Sequence, residues 1–249
     1  MASPRSSVRA ALVAAALLAV ALAYAPNLRG EFQYDDFTSL EINYAIRDPG
    51  RVLAAHRPGD LLGPGRPVTD LAFSLIYAAG GLDPLPFHLA SLLTHLGAAW
   101  LAFLLARGAL RRIGHPRAEP LAALAALAFA LHPLQAESVC YAAQLAEVLS
   151  SALYLAALLL LVRAHDAASR RAAAGWAVAA TALMALALGA KAIAVTLPAA
   201  FLLWAVALGR REGDEAPLPR RIGRALLLSS GAWALAVAAV ARNLLQLGP

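Results

Sequence analysis

Two adjacent carboxylates, Asp35 and Asp36, stand in the run Gly30-Glu31-Phe32-Gln33-Tyr34-Asp35-Asp36-Phe37, flanked by aromatic side chains. Like charges beside apolar groups repel each other and lose hydration, which raises one pKa toward that of a usable general base. The same pair could instead hold a divalent cation such as magnesium or manganese. A plainer reading is a solvated loop in which an Asp caps a short helix over Thr38 to Ile42.

Three further patterns carry polar chemistry. After Pro84-Leu85-Pro86-Phe87, the residues His88, Ser91 and His95 recur at i, i+3 and i+7, on one helix face. Two histidines seven apart are too widely spaced to chelate zinc from one helix, and packed or interfacial histidines are the ordinary alternative. In Leu131-His132-Pro133-Leu134-Gln135-Ala136-Glu137, Pro133 ends one helix and Glu137 begins another. Glu137, Tyr141, Gln144, Glu147 and Ser151 then form a polar stripe at helical spacing. A carboxylate at membrane depth costs about 2.5 to 3.5 kcal/mol, so Glu137 and Glu147 should line an aqueous cavity or have a partner, unless the helix lies in the interface. Lys191 is the only lysine in the chain. It either snorkels to the headgroups or clamps a phosphate, and Arg66 and Arg242 have the same two readings.

The elements that must position these groups are helices in lipid. Of the 249 residues, 61% are hydrophobic and 14% charged, and the mean hydropathy is +0.65. Disorder is excluded and an ordinary soluble domain disfavoured. Apolar runs at Val8–Ala25, His88–Ala106, Leu121–Leu131, Ala152–Val162, Ala172–Ala190, Ala194–Leu208 and Ala225–Ala241 predict an all-α bundle of about seven spans. The first run can also be read as a signal peptide with a cleavage site near Ala21–Ala23; an uncleaved span is favoured. The single cysteine, Cys140, permits no internal disulfide.

Charge gives the orientation. The formal net charge is +6, and fourteen of the 21 basic residues fall in alternate loops: Arg5, Arg9, Arg107, Arg111, Arg112, Arg117, Arg163, Arg170, Arg171, Arg210, Arg211, Arg220, Arg221 and Arg224. The positive-inside bias makes that side and the N-terminus cytoplasmic, with anionic lipid headgroups rather than nucleic acid as partners. Residues 26–86 then form the first external loop. It carries eight of the 15 acidic residues, and helical spacing over Arg51–His56 and Thr69–Ala79 predicts two short interfacial helices there. The chain closes at Pro249 just as the last span reaches the outside, which reads as the truncated end of a longer protein.

The ordered series FQYDDF, GRPVTDLAFSLIY, LDPLPFHLASLLTH, ALHPLQAESVCYAAQLAEVLS and AKAIAVTLPA resembles the N-terminal membrane half of the transmembrane and tetratricopeptide-repeat-containing O-mannosyltransferases and their bacterial relatives. These belong to the GT-C superfamily. The resemblance covers most of Gly30 to Thr196 and implies one GT-C type transmembrane domain over 1–249. It implies inverting transfer of a sugar from a polyprenyl-phosphate donor to a protein Ser or Thr hydroxyl on the outer face of the cell membrane. Asp35 and Asp36 match the acidic pair, one of them the expected general base. Arg66, His88, His95, His132, Glu137, Glu147 and Lys191 occupy other motif positions, with Lys191 toward the donor phosphate. The chain departs from the pattern at Gln144, where the family often has Arg, and at Ala192, where Lys-Glu is usual. Outside this class, a secondary transporter or a non-catalytic membrane scaffold would carry the same helices.

Overall fold

The computed structural model describes residues 16, 18–63, 65–210 and 217–246 of the chain, the Gln246 side chain excepted. Arg5, Arg9, Arg211, the start of the first apolar run and the closing residues 247–249 lie outside the described residues. Among the described residues there are helices and no strand. A helical segment at 18–24, α1, is followed by the stretch 26–83, which carries α2 (Pro49–Ala55) and α3 (Pro67–Gly80). Then come α4 (Pro84–Arg112), α5 (Ala118–Leu131), the single-turn α6 (Gln135–Cys140), α7 (Leu145–Asp166) and α8 (Arg170–Ala190). The series ends with α9 (Leu197–Leu208), α10 (Leu218–Leu228) and α11 (Ser230–Gln246).

The helix boundaries follow from local chemistry. Asp83 caps α4 by accepting the Leu85 N–H at 3.0 Å, Pro84 supplies the preset first turn, and Arg111 and Arg112 sit in the last turn against the negative helix end. At about 1.5 Å per residue, α4 is roughly 43 Å long, ample for a hydrocarbon core of about 30 Å. Ser169 caps α8 through the Ala172 N–H.

Among the described residues, three helices are long and apolar enough to cross a membrane: Pro84–Arg112, Ala142–Asp166 (α7 with the turn before it) and Arg170–Ala190. A fourth is obtained if Leu218–Leu228 and Ser230–Leu245 make one span bent by 64°. The apolar helices Ala118–Leu131 and Ala192–Leu208 are shorter, so of about seven expected spans three or four pass the test of length and composition among the described residues, and most of the first expected run lies outside them. Large side chains left exposed along the helices, among them Leu93, Trp100, Leu124, Val178, Leu203 and Val237, suit lipid rather than water. The chain is a multi-pass helical membrane protein.

Small residues bring the central helices together. Ala157, Leu161 and Ala164 of α7 are buried, as are Ala180, Met184 and Ala187 of α8, and alanine allows close backbone approach where lipid gives no hydrophobic drive. Phe201 of α9 and Leu197 complete this core. The stretch before α4 packs on the bundle through a second core, in which Leu40, Ile46 and Phe73 meet Phe87 of α4 with Ala142 and Leu145 at the start of α7. The two helices expected there form, but α3 is docked on the bundle: Thr69 is buried and its hydroxyl donates to the Ala190 carbonyl at 3.2 Å. Gly189 lets this happen, because a Cβ there would stand 2.5 Å from Leu61 and 2.8 Å from Val68.

Arginines of α4 and α10 gather at one end of the bundle. The C-termini of α4 and α7 meet where Arg112 pairs with Asp166, and Arg224 donates to the His165 carbonyl at 3.0 Å. Arg221 donates to the Ala205 carbonyl at 2.8 Å, so α9 and α10 also bring their ends there. At the other end lie the acidic loop, Lys191, and Arg242, which holds Asp60 at 2.8 Å.

Candidate functional site

The acidic pair divides into two different environments. Asp36 is 1% exposed, whereas Asp35 is exposed. One Asp36 oxygen accepts the Gln33 N–H at 3.0 Å and the other the Ala143 N–H at 2.6 Å. It therefore does not cap the following turn with its side chain; that turn, Phe37–Glu41, has π-type geometry and no side-chain cap. Tyr34, just before the pair, has φ of 49°, the one non-glycine residue with positive φ among those described. A bulky residue held in the left-handed region stores strain and turns the chain sharply. Its ring stands edge-on to Tyr141, with centroids 5.8 Å apart.

The helix expected to run unbroken from Glu137 is interrupted. Tyr141 is extended at φ −88° and ψ 127°, ending α6, and a single 3-10 turn, Ala142–Gln144, precedes α7. The Asp36 carboxylate supplies the acceptor for Ala143 N–H that a continuous helix would have found four residues back. The polar stripe is split accordingly. Glu137, Tyr141 and Gln144 join Asn27, Glu31, Gln33, Tyr34 and Asp35 around a polar cavity of about 510 Å³. Glu147 and Ser151 instead line a more apolar cavity of about 420 Å³, with His95, Phe129, Ser138, Tyr154, Ile193 and Thr196. The short helix α6 is the partition, giving Glu137 to one side and Ser138 to the other.

Lys191 stands directly after α8, its N–H donating to the Ala187 carbonyl at 2.9 Å and its carbonyl accepting the Ser150 hydroxyl at 3.4 Å. Its ammonium pairs with Glu147, and both side chains are about two-thirds covered. Glu147 thus supplies a carboxylate beside Lys191 from another helix, where the sequence has Ala192 next in line.

The histidines take separate parts. Asn27 donates from Nδ2 to His88 Nδ1 at 3.1 Å and to the Cys140 carbonyl at 3.1 Å. With Nδ1 accepting, His88 Nε2–H donates to the Gly30 carbonyl at 3.3 Å. His88 therefore fixes the start of the acidic loop from beneath. His95 is buried against Tyr24 and Phe129, and its Nε2–H donates to the Ala130 carbonyl at 3.1 Å. His132 lines neither cavity; its Nδ1 accepts the Leu134 N–H at 3.2 Å in the turn that opens α6.

Arg66 also lies away from both cavities, at the start of α3 beside Asp70. Burial pushes the Asp70 carboxyl up, while His56, 3.1 Å away, and Arg66 partly oppose that. Arg242 is committed to Asp60 and the Gly59 carbonyl. Among the described residues no three of His, Cys, Asp and Glu gather as a metal-holding group, and Asp35 is the member of the acidic pair open to a ligand. Asn27 was not singled out in the sequence; Pro26-Asn27 closing an apolar run was the available signal.

No known protein-family profile matches the chain, and no solved structure does. Curated proteins do. The chain is 34% identical over 151 residues to protein O-mannosyl-transferase Tmtc1 of Drosophila melanogaster, covering 55% of this chain and 16% of that one. It is 34% identical over 167 residues to protein O-mannosyl-transferase TMTC1 of Mus musculus and 31% over 166 residues to that of Homo sapiens, each covering 61% of this chain. Those matches span 17% and 18% of the mouse and human proteins. The chain is therefore similar to the TMTC1 protein O-mannosyl-transferases over a segment of about one sixth of their length.

Proposed function

We propose that this chain carries the membrane-embedded site of a GT-C type glycosyltransferase, moving a sugar from a polyprenyl-phosphate donor to a protein Ser or Thr hydroxyl on the outer face. The observation that carries the reading is the pair of cavities either side of α6: a polar one with Asp35, Glu137 and Gln144, and an apolar one reached by Glu147, which holds Lys191. The polar cavity suits a sugar and an acceptor hydroxyl, the apolar one the first units of a prenyl tail, and Lys191 a phosphate between them.

In this reading the acceptor oxygen attacks the anomeric carbon and its proton passes to Asp35. The bond from that carbon to the phosphate oxygen breaks, the configuration inverts, and polyprenyl phosphate leaves with the electron pair. Lys191 stabilises the charge that grows on the leaving phosphate. Asp36 is a positioning residue, since its two oxygens hold Gln33 and Ala143. Glu137 and Gln144 are available to sugar hydroxyls.

The test is transfer of labelled mannose from a polyprenyl-phosphate donor to a Ser/Thr-containing acceptor protein by the chain reconstituted in vesicles. Labelled acceptor supports the reading. Donor that stays intact, with folded protein and several acceptors tried, favours the scaffold.

A further inference from the structure

We propose that the groove between α8 and the α10–α11 elbow binds one anionic phospholipid from the leaflet at the arginine end of the bundle. The elbow has a local cause. Ser229 is buried, and its hydroxyl donates back to the Ala225 carbonyl at 2.8 Å, a bond that competes with the helical ladder. Ser230 and Gly231 follow, and the two helices part by 64° at this point. At Gly231 the elbow touches α8 so closely that a Cβ would stand 2.8 Å from the Thr181 hydroxyl. Beside that contact a groove of about 1220 Å³ is left open.

Its lining is graded along its length. Arg170, Ser169 and Arg224 stand at one end, and the rest is apolar or small: Ala173, Ala177, Val178, Ala182, Ala185 and Leu235. Arg224 spends one nitrogen on the His165 carbonyl, and a guanidinium has five N–H donors. The capped N-terminus of α8 adds positive partial charge at the same place. From Ala173 to Ala185 the apolar floor runs about 18 Å at 1.5 Å per residue, against about 15 Å for one leaflet of a hydrocarbon core. A partner helix would need the full thickness. On α11 the groove reaches only Leu235, six residues into a helix of 17. Length and charge together fit a phosphate headgroup on the two arginines and an acyl chain along the alanines.

The experiment is native mass spectrometry of the full chain released from nanodiscs of equal dioleoylphosphatidylglycerol and dioleoylphosphatidylcholine. The wild type is expected to retain the anionic lipid over the zwitterionic one by about thirtyfold, as two arginines near a headgroup imply. Arg170→Ala with Arg224→Ala should abolish that preference, and Ala182→Trp should reduce retention of both lipids by filling the floor. Arg111→Ala, on the same basic face but outside the groove, should keep the preference. Equal retention of the two lipids by the wild type would overturn the proposal. So would a loss in Arg111→Ala as large as in the groove variant, retention unaffected by Ala182→Trp, or cross-linking between two copies through Ala182→Cys in a Cys140→Ser background.

Discussion

The carboxylate of Asp36 accepts the backbone N–H of Ala143 at 2.6 Å, across 107 residues of sequence. One hydrogen bond thereby links the loop that presents Asp35 to the break between α6 and α7 that presents Gln144. Removing the acceptor by Asp36→Ala leaves the Ala143 N–H without a partner in a buried place, at a cost of about 1 to 3 kcal/mol. Thermal unfolding in detergent should show a clear drop in midpoint, with Asp36→Asn falling between. An unchanged midpoint in Asp36→Ala would mean that the link does not hold the loop.

Lys191 and Glu147 form the second long-range pair of the site. With Lys191→Ala, donor affinity should fall by about tenfold or more, for a charge-assisted contact worth roughly 1.5 to 3 kcal/mol. Lys191→Arg should keep part of it. Titration with a polyprenyl-phosphate sugar is the measurement, and equal affinity with and without the lysine would leave only membrane anchoring as its role.

Much of this was legible in the residues and some was not. The acidic pair, the stripe at Glu137 to Glu147 and Lys191 were visible because charge is costly inside apolar sequence and has to be accounted for. The span over His88–Ala106 was visible as an apolar run opened by Pro84, while the Asp83 cap and the two helical turns carrying Arg107, Arg111 and Arg112 emerged only with the fold. The break at Tyr141 was not, since periodicity continues through it and the competing acceptor comes from Asp36, far away in sequence. His132 and Arg66 shared motif signals with the site residues, yet serve a turn and a helix start, because a motif does not say which way a side chain points. The separate fates of Asp35 and Asp36 likewise required the fold.

Asp60 gives a pH-dependent fastening of α11 to the turn between α2 and α3. The Arg57 N–H, donating at 2.7 Å, and then Arg242 hold its carboxyl below the ordinary value of 3.8. A lowered carboxyl stabilises the fold above that ordinary value, and the contribution is lost as pH falls through the lower, folded one. Hydrogen-exchange protection of the Pro58–Leu62 turn, taken relative to the intrinsic rate at each pH, should therefore fall in wild type below about pH 4. Asp60→Asn should exchange faster at neutral pH and show less of this acid response. A wild-type turn indifferent to acid would contradict the fastening.

The segregation of charge sets the orientation test. Single cysteines at Thr38 and Arg170, in a Cys140→Ser background, should label from opposite sides of intact cells. An impermeant maleimide is expected to reach Thr38→Cys from outside and Arg170→Cys only after permeabilisation. The reverse pattern would place the acidic loop in the cytoplasm.

The central claim is that Asp35 takes the acceptor's proton, and it is tested most directly by Asp35→Asn measured for binding and transfer separately. A positioned general base contributes about 10² to 10⁴ in rate. Mannose transfer by Asp35→Asn in vesicles should fall by that factor while the donor dissociation constant stays within about threefold of wild type, because the substitution keeps size and removes only basicity. Transfer that proceeds at the wild-type rate in Asp35→Asn would contradict the account.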